Sequence, residues 1–380
     1  MRRWRMAAAL VLMLAVAGGA GAQRIVLNLN NAGDQNMVDF FQNEIAPEFE
    51  KLYPEVEVRV VGTGPGPAGS QRIIEKLRAQ QRAGRAQWDV DVAVVHELGA
   101  AWAVQEGLFQ RYTDDIATSA YVVMPAARKS LGVDVEGYVM PMFLSQTAIA
   151  YHPERVPDPP RSYAELVEWV QRNPRRFGYN GIQGGASGIA FTAGWLYWYT
   201  GDYDVLVNGP FSEDVMAKWP EAFAALRDFN RNVIITAGNA GTLDMLNRGE
   251  IVMGPVWVDM FYTWMAEGRL DPKLRLFILE PGMPGQPMFY AIPAGAAQPE
   301  YARKFVEFAT SPEVQAKYIV ERFNWYPGID PNVVRPQVPD EVWQTLFKDI
   351  SPEELNRLGQ VFPLTEYYEA MLETYERYAR

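Results

Sequence analysis

The sequence predicts an α/β protein with two lobes, and three observations support that fold class. Apolar strand patterns alternate with helical patterns in the order β-α-β-α-β between residues 24 and 95, which predicts a parallel sheet with helices on both faces. A second unit of this kind begins near residue 147. A chain of 380 residues exceeds what one hydrophobic core usually organises, so a second lobe is expected.

The individual elements follow from local patterns along the chain. Strands are predicted over residues 24–29, 55–61, 90–95 and 148–151, and helices over residues 37–53, 71–82 and 163–170. The first helix places its apolar side chains, among them Phe41 and Phe49, on one side, as an amphipathic helix does. Ser162 lies three residues before Glu165, which predicts a capping box at the start of the third helix.

Two later apolar strands carry aromatic residues to the ends of elements. Residues 251–257 form a short strand in which a Gly-Pro step leads to Trp257, and residues 287–293 form a strand that is entered and left through prolines. Neither strand carries a group for covalent chemistry. Both can present aromatic faces and backbone polar groups, as small-molecule sites do. These segments favour a binding protein over an enzyme.

The N-terminus has the three parts of a secretory leader. Residues 1–5 contain three arginines, residues 6–16 are uninterruptedly apolar, and residues 20–22 are small, which predicts a signal peptide over residues 1–22 with cleavage after Ala22. The apolar run is too short to span the ~30 Å hydrocarbon core of a bilayer as a helix. The chain has no cysteine, so no residue is available for lipid attachment. The sequence therefore predicts an exported, soluble protein of the periplasm.

Composition excludes several classes of function. The absence of cysteine removes thiolate nucleophiles, thiolate metal sites and disulfides. A formal net charge of −11, more negative still without the leader arginines, argues against nucleic-acid binding. His96 and His152 are the only histidines, and no spacing between them suits a metal site. We therefore expect no catalytic constellation, no metal and no cofactor.

Several segments together carry a resemblance to a known family. They are residues 46–51 with 54–58, then 88–92, 106–108, 137–141 and 159–166, and finally 249–257, 301–308 and 311–313. In this order and spacing the chain resembles the extracellular solute-binding proteins of bacterial ABC importers, with the maltose-binding-protein type of fold. Residues 173–179 and 184–188 also resemble a subgroup near the thiamine-type binding proteins.

The resemblance implies a two-lobed periplasmic binding protein fold of type II, with mostly parallel sheets and the ligand in a cleft between the lobes. It implies one lobe over residues 23–143 plus 294–325 and the other over residues 148–288 plus 331–380. Crossover hinge strands are expected near residues 144–147, 289–293 and 326–330. It also implies a permease and an ATPase as membrane partners, and we expect a monomer.

Candidate ligand contacts follow from the rule that ligands bind beyond the carboxyl ends of parallel strands. The candidates are Asn31, Asp34, His96, Glu97, Gly185, Ser187, Trp195, Trp257, Asp259, Tyr290, Trp325 and Tyr326. Structural roles remain open for several of them. Asn31 and Asp34 suit helix capping, Glu97 suits a helix start, and the run around Trp195 suits core packing. The glycine-rich residues 62–70 do not suit a nucleotide site, because two prolines remove N–H donors.

Three classes of function are compatible with these features. They are the binding component of an importer, a secreted carbohydrate-active enzyme such as a glycosidase, and a chemoreceptor partner or adhesion protein. The sequence favours the importer component and no enzymatic activity. For the ligand, an aromatic content of 13% favours a carbohydrate or polyol. The alternative is a cation such as a polyamine or thiamine, which Asp34, Glu97 and Asp259 would suit.

Overall fold

The computed structural model describes residues 24–380, and the predicted leader and its cleavage point lie outside these residues. The strands are β1 (Ile25–Asn31), β2 (Val56–Gly62), β3 (Val92–His96), β4 (Lys129–Ser130), β5 (Val133–Asp134), β6 (Val139–Tyr151), β7 (Gly178–Tyr179), β8 (Ile234–Ile235), β9 (Met253–Trp257), β10 (Arg275–Phe277), β11 (Met283–Ala291), β12 (Tyr326–Pro327) and β13 (Gly359–Gln360).

The helices are α1 (Gln35–Phe40), α2 (Ala46–Leu52), α3 (Gly66–Arg82), α4 (Glu97–Gln105), α5 (Tyr163–Arg172), α6 (Ser187–Thr200), α7 (Tyr203–Asn208), α8 (Trp219–Asn230), α9 (Gly238–Arg248), α10 (Val258–Ala266), α11 (Pro299–Ala309), α12 (Pro312–Val314), α13 (Pro331–Val334), α14 (Asp340–Leu346), α15 (Pro352–Leu358) and α16 (Thr365–Tyr378). A π-helical stretch (Phe41–Ile45) joins α1 to α2, and a second one (Gln315–Arg322) follows α12.

The N-terminal lobe is a sheet with a hydrophobic core on each face. Its strands lie in the order β6-β11-β3-β1-β2, and β1 pairs in parallel with both β2 and β3. Side chains alternate between the faces, as a strand requires. Val92 and Val94 enter the core beneath α1 and α11, whereas Ala93 and Val95 enter the core beneath α3 and α4. The carboxyl ends of β1 and β3 therefore reach one edge of the sheet together.

Strand β6 runs through both lobes. Residues 139–146 pair with β11, and residues 147–151 pair with β9 on one side, with Phe277 of β10 opposite Ile149 on the other. In β11, Met288 to Ala291 pair with β3, whereas Met283 and Pro284 pair with β13. Phe289, within the predicted crossing near 289–293, thus pairs inside the N-terminal lobe. The change of partners in β11 falls over residues 285–287.

The C-terminal lobe packs its helices around α6. Residues 187–197 of α6 are all buried, because this helix is apolar on every side and is surrounded by α5, α8 and the strands of the lobe. Trp195 lies in this core, and its indole Nε1–H donates to the carbonyl oxygen of Ala222 at 3.0 Å. Phe191 and Phe229 pack against each other in the same cluster at a ring-centroid distance of 6.0 Å.

The prediction of a two-lobed α/β fold is confirmed. The sheet is parallel only in part, because β6 and β11 cross between the lobes in opposite directions. The capping-box prediction is half right. The Ser162 hydroxyl accepts from the Glu165 N–H, but the Glu165 carboxylate accepts from the N–H of Arg161 instead of that of Ser162. No helix within residues 24–380 is long and apolar enough to cross a membrane.

Candidate functional site

A cleft with an empty volume of about 480 Å³ lies where the two lobes meet. Its walls are the loop after β1, the end of β3, the middle of β6 and β11, and the starts of α6, α9 and α10. The lining residues are Gly33, Asp34, Asn36, Met37, Gly66, His96, Phe143, Ser145, Ala186, Asn239, Trp257, Asp259, Met260, Gln286 and Met288.

Two carboxylates, one from each lobe, line this cleft. Asp34 follows β1 at the start of α1, and its side chain makes no cap hydrogen bond. Asp259 lies in the first turn of α10 and accepts a short hydrogen bond from the hydroxyl of Ser145 on β6. Neither carboxylate forms an ion pair with any residue in the described part of the chain. Among residues 24–380 no lysine or arginine lines the cleft, so the charged groups that these residues contribute are all acidic.

The environment raises the pKa of both carboxyl groups. Burial is the main cause of a pKa of about 6 for Asp259, and the negative charge of Asp34 raises it further, against the lowering effect of hydrogen bonds from Ser145 and from backbone N–H groups. Burial alone raises the pKa of Asp34. An ionised carboxylate in such a site lacks full solvation, and a cation placed beside it would restore that stabilisation.

His96 enters the cleft as a neutral side chain. The hydroxyl oxygen of Ser70 accepts from the backbone N–H of His96 at 3.0 Å, and the same hydroxyl lies 3.1 Å from the imidazole Nδ1. A hydroxyl that already accepts is free to donate its hydrogen to Nδ1, which leaves the proton of the neutral ring on Nε2. Burial lowers the pKa of His96 to about 4. The ring therefore offers a neutral donor and adds no positive charge.

The opposite wall is a polar network at the starts of α6 and α9. The hydroxyl oxygen of Ser187 lies 2.7 Å from the side-chain oxygen of Asn239 and 3.0 Å from that of Asn180, so its single hydrogen is shared between these two acceptors. Asn239 thereby presents an amide to the cleft, while Ser187 itself lies behind it and is fully buried. A Cβ atom on Gly66 would lie 3.9 Å from the Cα of Gly185. The lobes therefore approach each other closely at a point where both residues lack side chains.

Of the aromatic residues predicted from the sequence, only Trp257 lines the cleft. Trp195 and Tyr326 lie in the core of the C-terminal lobe, and Tyr290 and Trp325 lie in the core of the N-terminal lobe. Each of these four side chains is at most 3% exposed. They belong to packed cores and are not part of the proposed site.

Asn31 and Glu97 are buried beside the cleft without lining it. Asn31 is 0% exposed at the end of β1, and neither side-chain polar atom has a hydrogen-bond partner within the described residues. Glu97 begins α4, is 2% exposed, and its Oε2 also has no such partner. Burial raises the pKa of Glu97 to about 8. Glu97 is thus buried, and it does not line this cleft.

The sequence analysis missed several lining residues. Phe143 and Ser145 come from the middle of β6, and Gln286 comes from β11 at the change of strand partners. The predicted crossing near 144–147 was the available signal for the first two. Asn36 and Asn239 lie in the first turns of helices, where a polar residue is so common that its type carries no information about ligands. Within residues 24–380, no group of three His, Asp or Glu side chains could hold a metal ion.

Residues 44–344 match the family model of the bacterial extracellular solute-binding proteins. The chain belongs to this family. It is 27% identical over 247 residues to the gamma-aminobutyric acid-binding protein of Pseudomonas aeruginosa, and the match covers 63% of this chain and 62% of that relative. The chain therefore spans less than two thirds of the length of this curated relative.

Solved structures share the fold along nearly the whole chain. The spermidine/putrescine ABC transporter substrate-binding protein of Streptococcus pneumoniae is similar with a TM-score of 0.70 and 15% identity, over 93% of this chain and 99% of that chain. A periplasmic thiamin binding protein is similar with a TM-score of 0.60 and 18% identity, over 94% of this chain and 97% of that chain. At these identities the likeness establishes the fold alone.

Proposed function

We propose that this protein is the substrate-binding component of an ABC importer and that it captures a small organic cation, such as an amine, in the cleft between its lobes. The observation that carries the proposal is the pair Asp34 and Asp259, which come from opposite lobes and have no basic partner among the described residues. An ammonium group between them would bind both lobes at once. Its charge would also offset the cost of burying two carboxylates.

The aromatic and neutral polar groups of the cleft support the same class of ligand. Trp257 and Phe143 line the cleft, and aromatic rings attract ammonium groups through the ring quadrupole. His96, Asn239 and Gln286 offer neutral hydrogen-bonding groups for the remainder of the molecule. The carboxylates alone would also accept from sugar hydroxyls, so the charge of the ligand is the property that must be tested.

The comparisons support the cationic alternative over the carbohydrate that the sequence favoured. The relatives named above carry gamma-aminobutyric acid, spermidine/putrescine or thiamin in their names, and each of these molecules bears a positively charged nitrogen. Carbohydrate binding has no such support. We propose further that the protein acts in the periplasm as a monomer, that it delivers its ligand to the permease of an importer that also has an ATPase subunit, and that it has no enzymatic activity.

A thermal-shift panel tests the class of ligand. We expect gamma-aminobutyric acid, putrescine, spermidine or thiamine to raise the melting temperature, because a ligand that binds only the native state stabilises it. Glucose, maltose and glycerol at equal concentration should leave it unchanged. Stabilisation by a sugar, with no response to any of the amines, would contradict the proposed cation site.

The arrangement of the lobes leads to a prediction about conformation. We propose that the lobes open and close about the segments where β6, β11 and β12 cross, and that a ligand touching both lobes shifts the population towards the closed form. Small-angle X-ray scattering should give a smaller radius of gyration with a bound amine than without it. An equal radius, measured with a ligand proven to bind, would exclude this closure.

A further inference from the structure

Trp325 connects the core of the N-terminal lobe to the wall of the cleft. Its side chain is 0% exposed, and its ring centroid lies 4.5 Å from that of Phe143, which lines the cleft. On other sides it packs against Phe40 and Phe323, at centroid distances of 5.8 and 4.8 Å. The indole is thus fixed on several sides by rings of the N-terminal lobe, and it cannot change rotamer without disturbing them.

The polar edge of this indole reaches into the C-terminal lobe. Its Nε1–H lies 3.0 Å from the hydroxyl oxygen of Thr263 and 3.2 Å from the backbone carbonyl oxygen of Asp259. Both acceptors belong to α10, one helical turn apart. Trp325 immediately precedes β12, which pairs with residues 143 and 144 of β6. The contact therefore joins α10 to the crossing segments.

Asp259 is held at two points as a result. The hydroxyl of Ser145 on β6 donates to the carboxylate, and the indole of Trp325 donates to the backbone carbonyl of the same residue. A residue fixed at both its backbone and its side chain has little freedom to turn. A preorganised charged group of this kind binds a partner without the cost of ordering it first.

We propose that Trp325 is a positioning residue that aims the Asp259 carboxylate into the cleft. It acts through the first turn of α10 and does not touch the ligand. This role accounts for two observations together. The Trp325 side chain is fully buried, and its Nε1–H nevertheless donates to α10, a helix whose first turn lines the cleft. The proposal rests on the proposed function only for the identity of the bound group. The orientation of the Asp259 carboxylate affects its titration, which can be measured without a ligand.

The test compares two variants that remove the indole N–H of Trp325 with a control variant that removes the indole N–H of Trp195. Trp325→Phe keeps an aromatic ring and loses the N–H. Trp325→Phe combined with Thr263→Val also removes the buried hydroxyl that would lose its partner, which limits destabilisation. Trp195→Phe is the matched control, because it removes an indole hydrogen bond, to Ala222, at a residue that does not line the cleft.

The readout is the titration of the Asp259 carboxyl carbon by NMR in the ligand-free protein, assigned by its loss in Asp259→Asn. Both Trp325 variants should move the midpoint to higher pH by about 0.5 or more, because a carboxylate that turns away from Ser145 loses a hydrogen bond to its charged form. Trp195→Phe should leave the midpoint unchanged, even where it lowers the melting temperature to a similar degree.

The same variants should weaken binding of an amine by about fivefold to tenfold, with Trp195→Phe near the wild type. Wild-type titration curves in both Trp325 variants would overturn the positioning role, as would an equal shift in Trp195→Phe. Failure of the wild type to bind any amine would instead contradict the proposed function. In that case the ligand-free titration still decides the role of Trp325.

Discussion

Asp259→Asn is expected to weaken amine binding by about 2–4 kcal/mol, which corresponds to a loss of roughly 30-fold to 1000-fold in affinity. The asparagine has the same shape and can still accept from the Ser145 hydroxyl, so the substitution removes the charge and little else. The buried ammonium group would then face Asp34 alone. Isothermal titration calorimetry measures the change directly.

Asp39→Asn is the matched control for this substitution. Asp39 is exposed on the same helix that Asp34 precedes, and its carboxylate accepts only from Gln35. It changes the net charge of the protein by the same amount without touching the cleft, so its affinity should equal that of the wild type. An Asp259→Asn variant that binds the amine as tightly as the Asp39→Asn control would remove Asp259 from the site.

The affinity of the wild type for an amine should also fall with decreasing pH. The pKa of Asp259 is about 6 in the ligand-free protein because of burial, and only the ionised form attracts a cation. A bound cation stabilises the ionised form, so protonation competes with the ligand below pH 6, and affinity weakens as pH falls to 5. Calorimetric titrations at pH 7.5 and pH 5 check the direction, and tighter binding at pH 5 would contradict it.

Glu97→Gln is expected to stabilise the ligand-free protein at alkaline pH by about 2–4 kcal/mol. Burial raises the pKa of Glu97 to about 8 from the usual 4.5, so the folded state binds the proton more tightly than the unfolded state does. Stability is therefore lost as pH rises from about 4.5 through 8, where the carboxylate ionises without a partner. A glutamine cannot ionise and avoids this loss.

Urea unfolding at pH 5 and pH 9 measures the effect. The difference in free energy of unfolding between Glu97→Gln and the wild type should be small at pH 5 and large at pH 9. Glu369→Gln is the control, because Glu369 is exposed on α16 and should shift the stability little at either pH. A Glu97→Gln variant that is less stable than the wild type at pH 9 would show that the ionised carboxylate has a stabilising partner.

Chain position after a strand was the signal for four predicted residues that line the cleft. His96 and Trp257 are the last residues of β3 and β9, and Asp34 and Asp259 follow β1 and β9 within three residues. The carboxyl ends of neighbouring strands share an edge of the sheet, so position along the chain carries this information. The position at which the second lobe meets that edge depends on the whole fold, so no local pattern predicts it.

Burial of the aromatic residues depended on register and could not be inferred from chain position. Met288 and Tyr290 point to the same face of β11, yet of the two only Met288, which is nearer the change of strand partners at residues 285–287, lines the cleft. Trp325 and Tyr326 are adjacent but enter the cores of different lobes. A one-residue change of strand register would move each side chain to the opposite face of the sheet. No local signal in the sequence determines this register.

The proposal of a cation instead of a sugar depends on which acidic residues line the cleft. From the sequence, Asp34, Glu97 and Asp259 were equivalent acidic candidates. In the fold, Glu97 is buried outside the cleft, while Asp34 is close enough to Asp259 for its charge to raise the pKa of that carboxyl group. A pair of carboxylates without a basic partner is costly to bury unless a cation joins it, and that cost favours the cationic ligand.

A crystal structure of the protein with the amine that stabilises it most would test the cation site most directly. We expect a positively charged nitrogen within about 3 Å of carboxylate oxygens of both Asp34 and Asp259, the distance of a charge-assisted hydrogen bond. An amine bound with its charged nitrogen away from both carboxylates would contradict the account.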